Sequence, residues 1–408
     1  MGQSPGGDAG KADGEALRVV HTTYAWLPRT MVWLYNQLQH LPRSEVENHV
    51  VCYRSENLDL FGIPRLHQCR RADGPGPLLQ RFLSRAGLHP GRRLLRRVVG
   101  RTNPAIVHSH FGNWAWEMLD AVRTCNARHV VTFYGLDVNL VPRSDPRWAD
   151  RYVRLFAEAD RFLCEGPHMM ECLVALGCPR EKIALQHLGV DLDALAPRPR
   201  VLRKGEALRV LVAGSFREKK GIPDAMEALG HLRRRHPAVE VTVIGDAGDG
   251  ESERREKGRI LDAVDRNGLS GVVRFLGYQP WKAMVAEAYG HHVFLSPSVT
   301  ASDGDTEGGV PVAILEMAAT GMPVVTTTHC DIPYGLGGVD NGGFFAPEHA
   351  PEVLAEHLSW LAEHPDEWEV RTVCVRSHLE RSYDWRVIGG LLLERYREVL
   401  RTPPASGR

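Results

Sequence analysis

Short runs of β-branched and aromatic residues recur along this chain, each followed by a longer helix-compatible or polar stretch, and this rhythm constrains the fold more than any other feature. In the first half the runs are LRVVHTT (17 to 23), HVVCYRS (49 to 55), AIVHSHFG (105 to 112), HVVTFYG (129 to 135), RFLCEG (161 to 166) and IALQHLGV (183 to 190). A second series follows with LRVLVAGS (208 to 215), VEVTVIGD (239 to 246), VVRFLGY (272 to 278), HVFLSPS (292 to 298) and MPVVTTT (322 to 328). Nearly continuous apolar strands separated by helices read as parallel sheets covered on both faces, an α/β arrangement of doubly wound, Rossmann-like domains. Between the series lies APRPRVLRKGEA (196 to 207), whose Pro197, Pro199, Gly205 and basic side chains suit an exposed hinge. The expected division is a disordered tail over 1–16, a first domain over 17–198, a second over 199–384, and a crossover helix with a tail over 385–408. Two such sheets leave a cleft between the carboxyl ends of their strands, where ligands of this architecture usually sit. The final stretch, WRVIGGLLLERYREVLRT (385 to 402), reads as an amphipathic helix interrupted by Gly389 and Gly390 that packs back across the hinge.

Composition narrows the function classes. Fifty Lys plus Arg balance fifty Asp plus Glu among 408 residues, so no global positive field draws the chain to nucleic acid. No window approaches 18 uninterrupted apolar residues, and the start carries no signal-peptide pattern, which together set the expectation of a cytoplasmic protein. Eight Cys without a CxxC pair argue for reduced thiols rather than a disulfide frame or a zinc site. Charge is nevertheless uneven. Residues 65–101 hold ten Arg against a single acidic residue, Asp73, a net of +9, interleaved with Leu78, Leu79, Phe82, Leu83, Leu94, Leu95, Val98 and Val99. A basic amphipathic face of this kind suits peripheral docking on an anionic inner leaflet or a phosphorylated lipid-linked acceptor; the plain alternative is a solvated Arg-rich helix.

The stretch SPSVTASDGDTEGGVPVAILEMAATGMPVVTTTHCDIP (296 to 333) carries the most chemistry. It leaves a strand, crosses an acidic Gly-rich loop at Glu307, Gly308 and Gly309, and enters a helical run containing Ala313, Ile314 and Leu315. Backbone N–H groups at a helix start, with glycines that admit close approach, suit a phosphate, and Glu307 and Glu316 at the two ends suit hydroxyls on either side of it. The competing reading is a simple Gly-Gly turn followed by a solvated Glu. Asp303-Gly-Asp305 mimics a metal-binding DxD, a pattern common in loops, and no metal is expected.

Glu307 and Glu316, followed by Ala319, Gly321, Pro323, Val324 and Val325, resemble the Glu-x7-Glu and EAMAxGxPVV signature of retaining family 4 glycosyltransferases of the GT-B fold. His108-Ser-His-Phe-Gly112 is similar to that family's HxHFG, Thr132 to Asp137 to its TFHGxD, Gly189-Val-Asp191 to its nGvD, Gly214 to Gly221 to its GRLxxKKG, and Phe275-Leu-Gly277 to its FxG. Members that assemble colanic acid and other exopolysaccharides look most similar. The resemblance implies a nucleotide-sugar donor, with UDP- or GDP-sugar expected, and a glycan or lipid-linked acceptor. It also implies roles: Gly214, Ser215, Arg217 and Lys220 around the diphosphate, amides near Gly308, Gly309 and Val310 beside them, Glu316 on the ribose, and Leu276 and Gly277 at the base. Glu307 would act at the anomeric carbon, and His110, with Tyr134 and Asp137 as acceptor-side neighbours, would position the attacking hydroxyl. His108, alternating with His110, is expected on the opposite face, and Lys219 in solvent.

The chain also departs from the pattern. Glu307 and Glu316 stand nine apart where the family has eight, Ser215 replaces the expected Arg, and Tyr134 replaces the His of TFHG. A GT-B epimerase or phosphorylase would share the donor half, and the Ser215 and Tyr134 departures leave open a non-catalytic nucleotide- or glycan-binding relative. A nicotinamide enzyme is disfavoured because neither opening strand leads into GxGxxG.

Overall fold

The computed structural model describes residues 16–28, 31–69 and 90–405 of the chain. Seven parallel strands form the first sheet in the order β3-β2-β1-β4-β5-β6-β7, with β1 Leu17–Trp26, β2 Val46–Ser55, β3 Leu66–Gln68, β4 Ile106–His110, β5 Arg128–Thr132, β6 Arg161–Cys164 and β7 Ile183–Leu185. A second sheet runs β10-β9-β8-β11-β12-β13, from β8 Leu208–Ala213, β9 Val239–Ile244, β10 Val273–Phe275, β11 Val293–Ser296, β12 Val324–Thr327 and β13 Phe344–Ala346. Every pairing is parallel, and helices cover both faces, as the apolar runs require. The short strands β3 and β13 lie at sheet edges and were not among the expected runs, because LHQ and FFA offer only three residues of signal each.

Each sheet has its own core. Val210, Val241, Val243 and Leu295 of the second sheet pack against Ala225, Leu229 and Leu354 from covering helices. In the first, Val131, Phe133 and Phe162 pack on Leu155, Phe156 and Leu173. No regular element spans the stretch between β7 and β8.

The C-terminal helix Trp385–Arg401 runs without a break, so its glycines do not interrupt it. Gly389 serves close approach instead: a Cβ there would lie 2.3 Å from the His40 carbonyl oxygen in the first half. Leu392, Leu393, Tyr396 and Val399 from this helix join Val19, Leu41, Val46, Ile106 and Val130 in one buried cluster, and Gln186 donates to the Ile388 carbonyl at 3.1 Å. The last helix of the chain thus completes the core under the first sheet. Leu392→Ala would remove a fully buried side chain from that cluster and should cost about 2–5 kcal/mol in urea unfolding followed by a probe in the first half; a change below measurement error would contradict this packing.

Candidate active site at the seam between the two halves

The seam is built from turns at the carboxyl ends of strands in both sheets. After β8 the chain turns at Gly214, and the glycines after β8, β9 and β10 converge: Gly245 N–H donates to the Gly277 carbonyl at 2.9 Å, and a Cβ on Gly245 would lie 1.8 Å from the Gly214 carbonyl oxygen. Ser215 and Arg217 follow in the same turn, which ends in a 3-10 segment, Glu218–Lys220, capped by Gly221. Gly221 has φ 59, a left-handed conformation, and its missing Cβ makes room for the Pro297 carbonyl. That seating brings two consecutive lysines onto the loop that leaves β11.

Lys220 Nζ reaches both carboxylate oxygens of Glu307, at 2.8 and 3.0 Å, and Ser298 Oγ donates to Glu307 Oε1 at 2.9 Å. Burial pushes the Glu307 carboxyl up, but Lys220 and Lys219 outweigh it and hold the group at about 2. Lys219, expected in solvent, is buried: its Nζ donates to the Thr306 carbonyl at 2.7 Å and to Asp305 at 3.3 Å, with Glu307 at 3.8 Å. The correction has a physical basis, since two adjacent buried carboxylates need more than one cation. Arg217 is turned onto Asp305 at 2.7 Å, so its guanidinium is already engaged. Asp305 therefore spends its oxygens on Arg217 and Lys219, and Asp303 accepts the Asp305 N–H at 2.9 Å. Lys220 is the more accessible lysine, with 21% of its side chain exposed.

Gly308 and Gly309 sit beside this pair, against the first half. A Cβ on Gly135 would lie 2.8 Å from the Glu307 carbonyl oxygen, one on Gly309 would lie 2.3 Å from Glu165 Oε2, and Asn139 Nδ2 donates to Thr306 Oγ1 at 2.7 Å. The helix starts later than expected, at Val312 with Pro311 as its cap, so Val310 precedes it and is buried in the second core. Glu316, in the second turn of that helix, accepts from Trp281 Nε1 at 2.9 Å. It keeps some accessible surface, yet the surrounding protein and Asp191 push its carboxyl up to about 7. Leu276 is half-buried against the same second core, and Gly277 takes φ 65 at the end of β10.

The first-half assignments change. His110 is fully buried, with Nε2 against His21 Nδ1 at 3.1 Å and Nδ1 against the Tyr134 hydroxyl at 2.6 Å. It is a satisfied core histidine rather than a group that touches an acceptor. Residues two apart on a strand share a face, so His108 lies beside His110, ring centroids 4.3 Å apart, and not opposite it. His108 is held by Tyr396 and Thr132, both at 2.7 Å. His21, His108 and His110 are the one trio among the described residues whose donor atoms cluster closely enough to hold a metal, but all six ring nitrogens are engaged by protein partners. Tyr134 directs its hydroxyl inward and leaves its ring against Trp33, centroids 4.3 Å apart. Asp137 also faces inward: it accepts from the Gly112 and Tyr134 amides at 2.6 and 2.9 Å, and burial raises its carboxyl to about 6. It ties the two loops that follow β4 and β5. Glu165, which sequence reading missed, does face the seam; burial, with Asp331 and Glu307 nearby, raises its carboxyl well above the usual range. Its only signal was its place directly after β6.

Lys220→Met would leave Glu307 with Lys219 at 3.8 Å as its remaining cation. Breaking such a pair should cost about 3–5 kcal/mol near neutral pH by denaturant unfolding. The folded Glu307 titrates below its ordinary 4.5, so the contribution is complete above that value and lost as pH falls toward 2. Wild type and variant should converge in acid, and a difference that persists there would contradict the assignment.

Similarity to known proteins agrees with this geometry. Residues 32–194 match the family described as Glycosyltransferase Family 4, and residues 207–364 the family described as Glycosyl transferases group 1. The putative colanic acid biosynthesis glycosyltransferase WcaL of Escherichia coli (strain K12) is 34% identical over 63% of this chain and 61% of its own length. The amylovoran biosynthesis glycosyltransferase AmsK of Erwinia amylovora is 28% identical over 77% of this chain and 76% of its own. The chain thus spans about three-fifths of the WcaL length. Among solved structures, Anabaena HepE in complex with UDP and glucose superposes with a TM-score of 0.74 at 16% identity, covering 94% of this chain and 100% of that one. The sucrose-phosphate synthase of Thermosynechococcus elongatus gives 0.76 at 15% identity, covering 94% and 99%. Two Rossmann-like halves, the lysine-carboxylate turn at their seam and these matches lead to one conclusion: the chain belongs to the family 4 glycosyltransferases and has the GT-B fold.

Proposed function

We propose that this protein transfers a glycosyl group from a nucleotide-sugar to an acceptor hydroxyl in the assembly of an exopolysaccharide or a lipid-linked glycan. The observation that carries the reading is the Lys220–Glu307 pair, part-exposed at the seam and flanked by Gly308 and Gly309. A diphosphate leaving group needs cationic charge where its own charge grows, and Lys220 supplies it. An incoming diphosphate competes with Glu307 for that ammonium, which frees Glu307 to face the positive charge that develops at the anomeric carbon. Glu316, on the same helix as the loop's continuation, takes the ribose hydroxyls, and the turn at Leu276 and Gly277 meets the base. UDP or GDP is the expected nucleotide, the first in keeping with the UDP held by the HepE structure.

Retention by front-face attack is part of the proposal. A double displacement needs a free carboxylate nucleophile with an acid partner about 5 Å away. Glu307, once the diphosphate draws Lys220 away, keeps its hydrogen bond from Ser298 and is assigned to charge stabilisation at the anomeric carbon, while Glu316 is held by Trp281. The departing phosphate is then the base that takes the acceptor proton. Metal independence rests on Asp305, whose oxygens are bound by Arg217 and Lys219.

Peripheral membrane docking is the further part of the proposal. Arg70, Arg71, Arg81 and Arg85, with Leu78, Leu79, Phe82 and Leu83, lie outside the described residues. The helix Pro90–Thr102 turns Leu95, Val98 and Val99 into the core and leaves Arg93, Arg96, Arg97 and Arg101 exposed, so its attraction to a membrane is electrostatic rather than insertional. No helix among the described residues is long and apolar enough to cross a membrane. Binding to anionic vesicles at low ionic strength should vanish with added salt, and binding that survives high salt would contradict an electrostatic contact.

The reaction is tested by incubating the protein with UDP-, GDP-, ADP- and TDP-sugars, with and without glycan acceptors. Free nucleoside diphosphate should accumulate with one donor only when acceptor is present; acceptor-independent release, or none with any donor, would overturn the reading. Because Glu316 titrates near 7 and binds hydroxyls as the carboxylate, donor affinity should strengthen as pH rises through that value. Glu316→Gln should remove this pH step; a step that persists would reassign it.

A further inference from the structure

The segment His329–Cys330–Asp331, just after β12, touches both the Glu307 loop and the opposite half of the molecule. His329 Nε2 accepts the Glu307 backbone N–H at 3.1 Å, and its Nδ1 is held by Glu348 at 2.6 Å, so the Glu307 loop rests on a fixed imidazole. Cys330 takes φ 48, a left-handed conformation that sharply turns the chain. Asp331 then reaches across the seam. Its Oδ1 accepts from the His168 N–H at 2.7 Å and its Oδ2 from the Met169 N–H at 3.3 Å.

Those amides open the helix Pro167–Ala175 of the first half, whose own N-cap, Gly166, has no side chain to offer. Pro167 has no N–H, so His168 and Met169 hold the first donors of that helix. The helix therefore receives from the other half the kind of carboxylate cap that Asp384 supplies to its own helix at the C-terminus of the chain. Gly166 itself is extended, with φ −161, a conformation that any residue adopts. What demands glycine is space: a Cβ would lie 2.3 Å from the Asp331 carboxyl carbon. The receptor for Asp331 is built into the first half, and only the closed seam fills it.

We infer that His329–Cys330–Asp331 is a closure latch, in which Asp331 is a positioning residue that caps the first-half helix when the halves shut, while His329 passes that closure to Glu307. Nearby contacts agree, since Asn139 bonds Thr306 and Gly135 packs on Gly308 within the same seam. The latch stands on geometry alone; only the kinetic arm of its test rests on the proposed transferase activity.

Hydrogen exchange and small-angle scattering on the full chain test it, using wild type, Asp331→Ala, Asp331→Asn, Gly166→Ala and the double variant Gly166→Ala with Asp331→Ala. Exchange at His168 and Met169 should be at least about fivefold faster in Asp331→Ala and Gly166→Ala, the shift expected on losing a cap of ordinary strength. Both variants should show a larger radius of gyration, with Asp331→Asn between them and wild type. The double variant should be no worse than Asp331→Ala, because the added methyl has lost the group it strikes. Gly166→Ala is conformationally permitted in its own half, so it reports even if Asp331→Ala melts early. In the kinetic arm, kcat should fall by about tenfold while UDP affinity, a property of the second half, stays unchanged. Unaltered exchange and radius in both single variants, or a double variant equal to the sum of the singles, would overturn the latch. No turnover with any donor, alongside the expected exchange pattern, would leave the latch standing and overturn the transferase reading instead.

Discussion

Charge neutralisation inside one turn organises the seam of this protein. Lys219 and Lys220 are consecutive in sequence, yet they divide their work: the first is buried against Asp305, the Thr306 carbonyl and the fringe of Glu307, the second clasps Glu307 directly. A carboxylate as enclosed as Glu307 stays ionised only because two ammonium groups face it. The geometry that delivers both lysines to one loop comes from Gly221, whose backbone lies against the Pro297 carbonyl where no other residue fits. A turn after β8 and a loop after β11, neighbours in the sheet, are thereby bound into one electrostatic unit.

The two halves meet by close backbone approach at several glycines, joined by the side-chain contacts of Asp331 with the His168 and Met169 amides and of Asn139 with Thr306. Gly135, Gly166, Gly308 and Gly309 all lie where a Cβ would strike the opposite half. Polar and backbone contacts of this kind suit the opening and shutting that the proposed latch involves. The C-terminal helix does the opposite. Its Leu392 and Tyr396 are sealed into the first core, with Tyr396 bonded to His108, so it is a permanent tie between the halves. On the proposed latch, one chain carries a fixed tie in this helix and a seam that opens and shuts.

The strand-helix rhythm made both sheets legible in the sequence, because runs such as HVFLSPS and MPVVTTT form strands buried throughout. The edge strands β3 and β13 escaped because three residues carry no period. The grouping of Lys220, Glu307, Gly308 and Gly309 was legible too, from the order of their motifs, while their role toward a donor belongs to the proposal. The first half was not. His110 ends β4 and Asp137 lies in the short helix Leu136–Asn139 after β5, positions that read as function, but their partners, His21, Tyr134 and the Gly112 amide, come from other strands and loops and satisfy them internally. Lys219 was misplaced for the same reason, since a buried lysine is recognised only by the carboxylates that surround it. Asp331 gave no local signal and Glu165 only its place directly after β6, because their meaning lies in what the opposite half presents to them.

The central claim is that the ammonium of Lys220 receives the diphosphate of a nucleotide-sugar. Calorimetric titration of UDP and GDP into wild type and into Lys220→Met tests it directly. The account predicts binding of one nucleotide to the wild type and its loss in the variant, with the variant still folded by circular dichroism. Equal affinity in the two proteins would show that the phosphates are held elsewhere and would contradict the account.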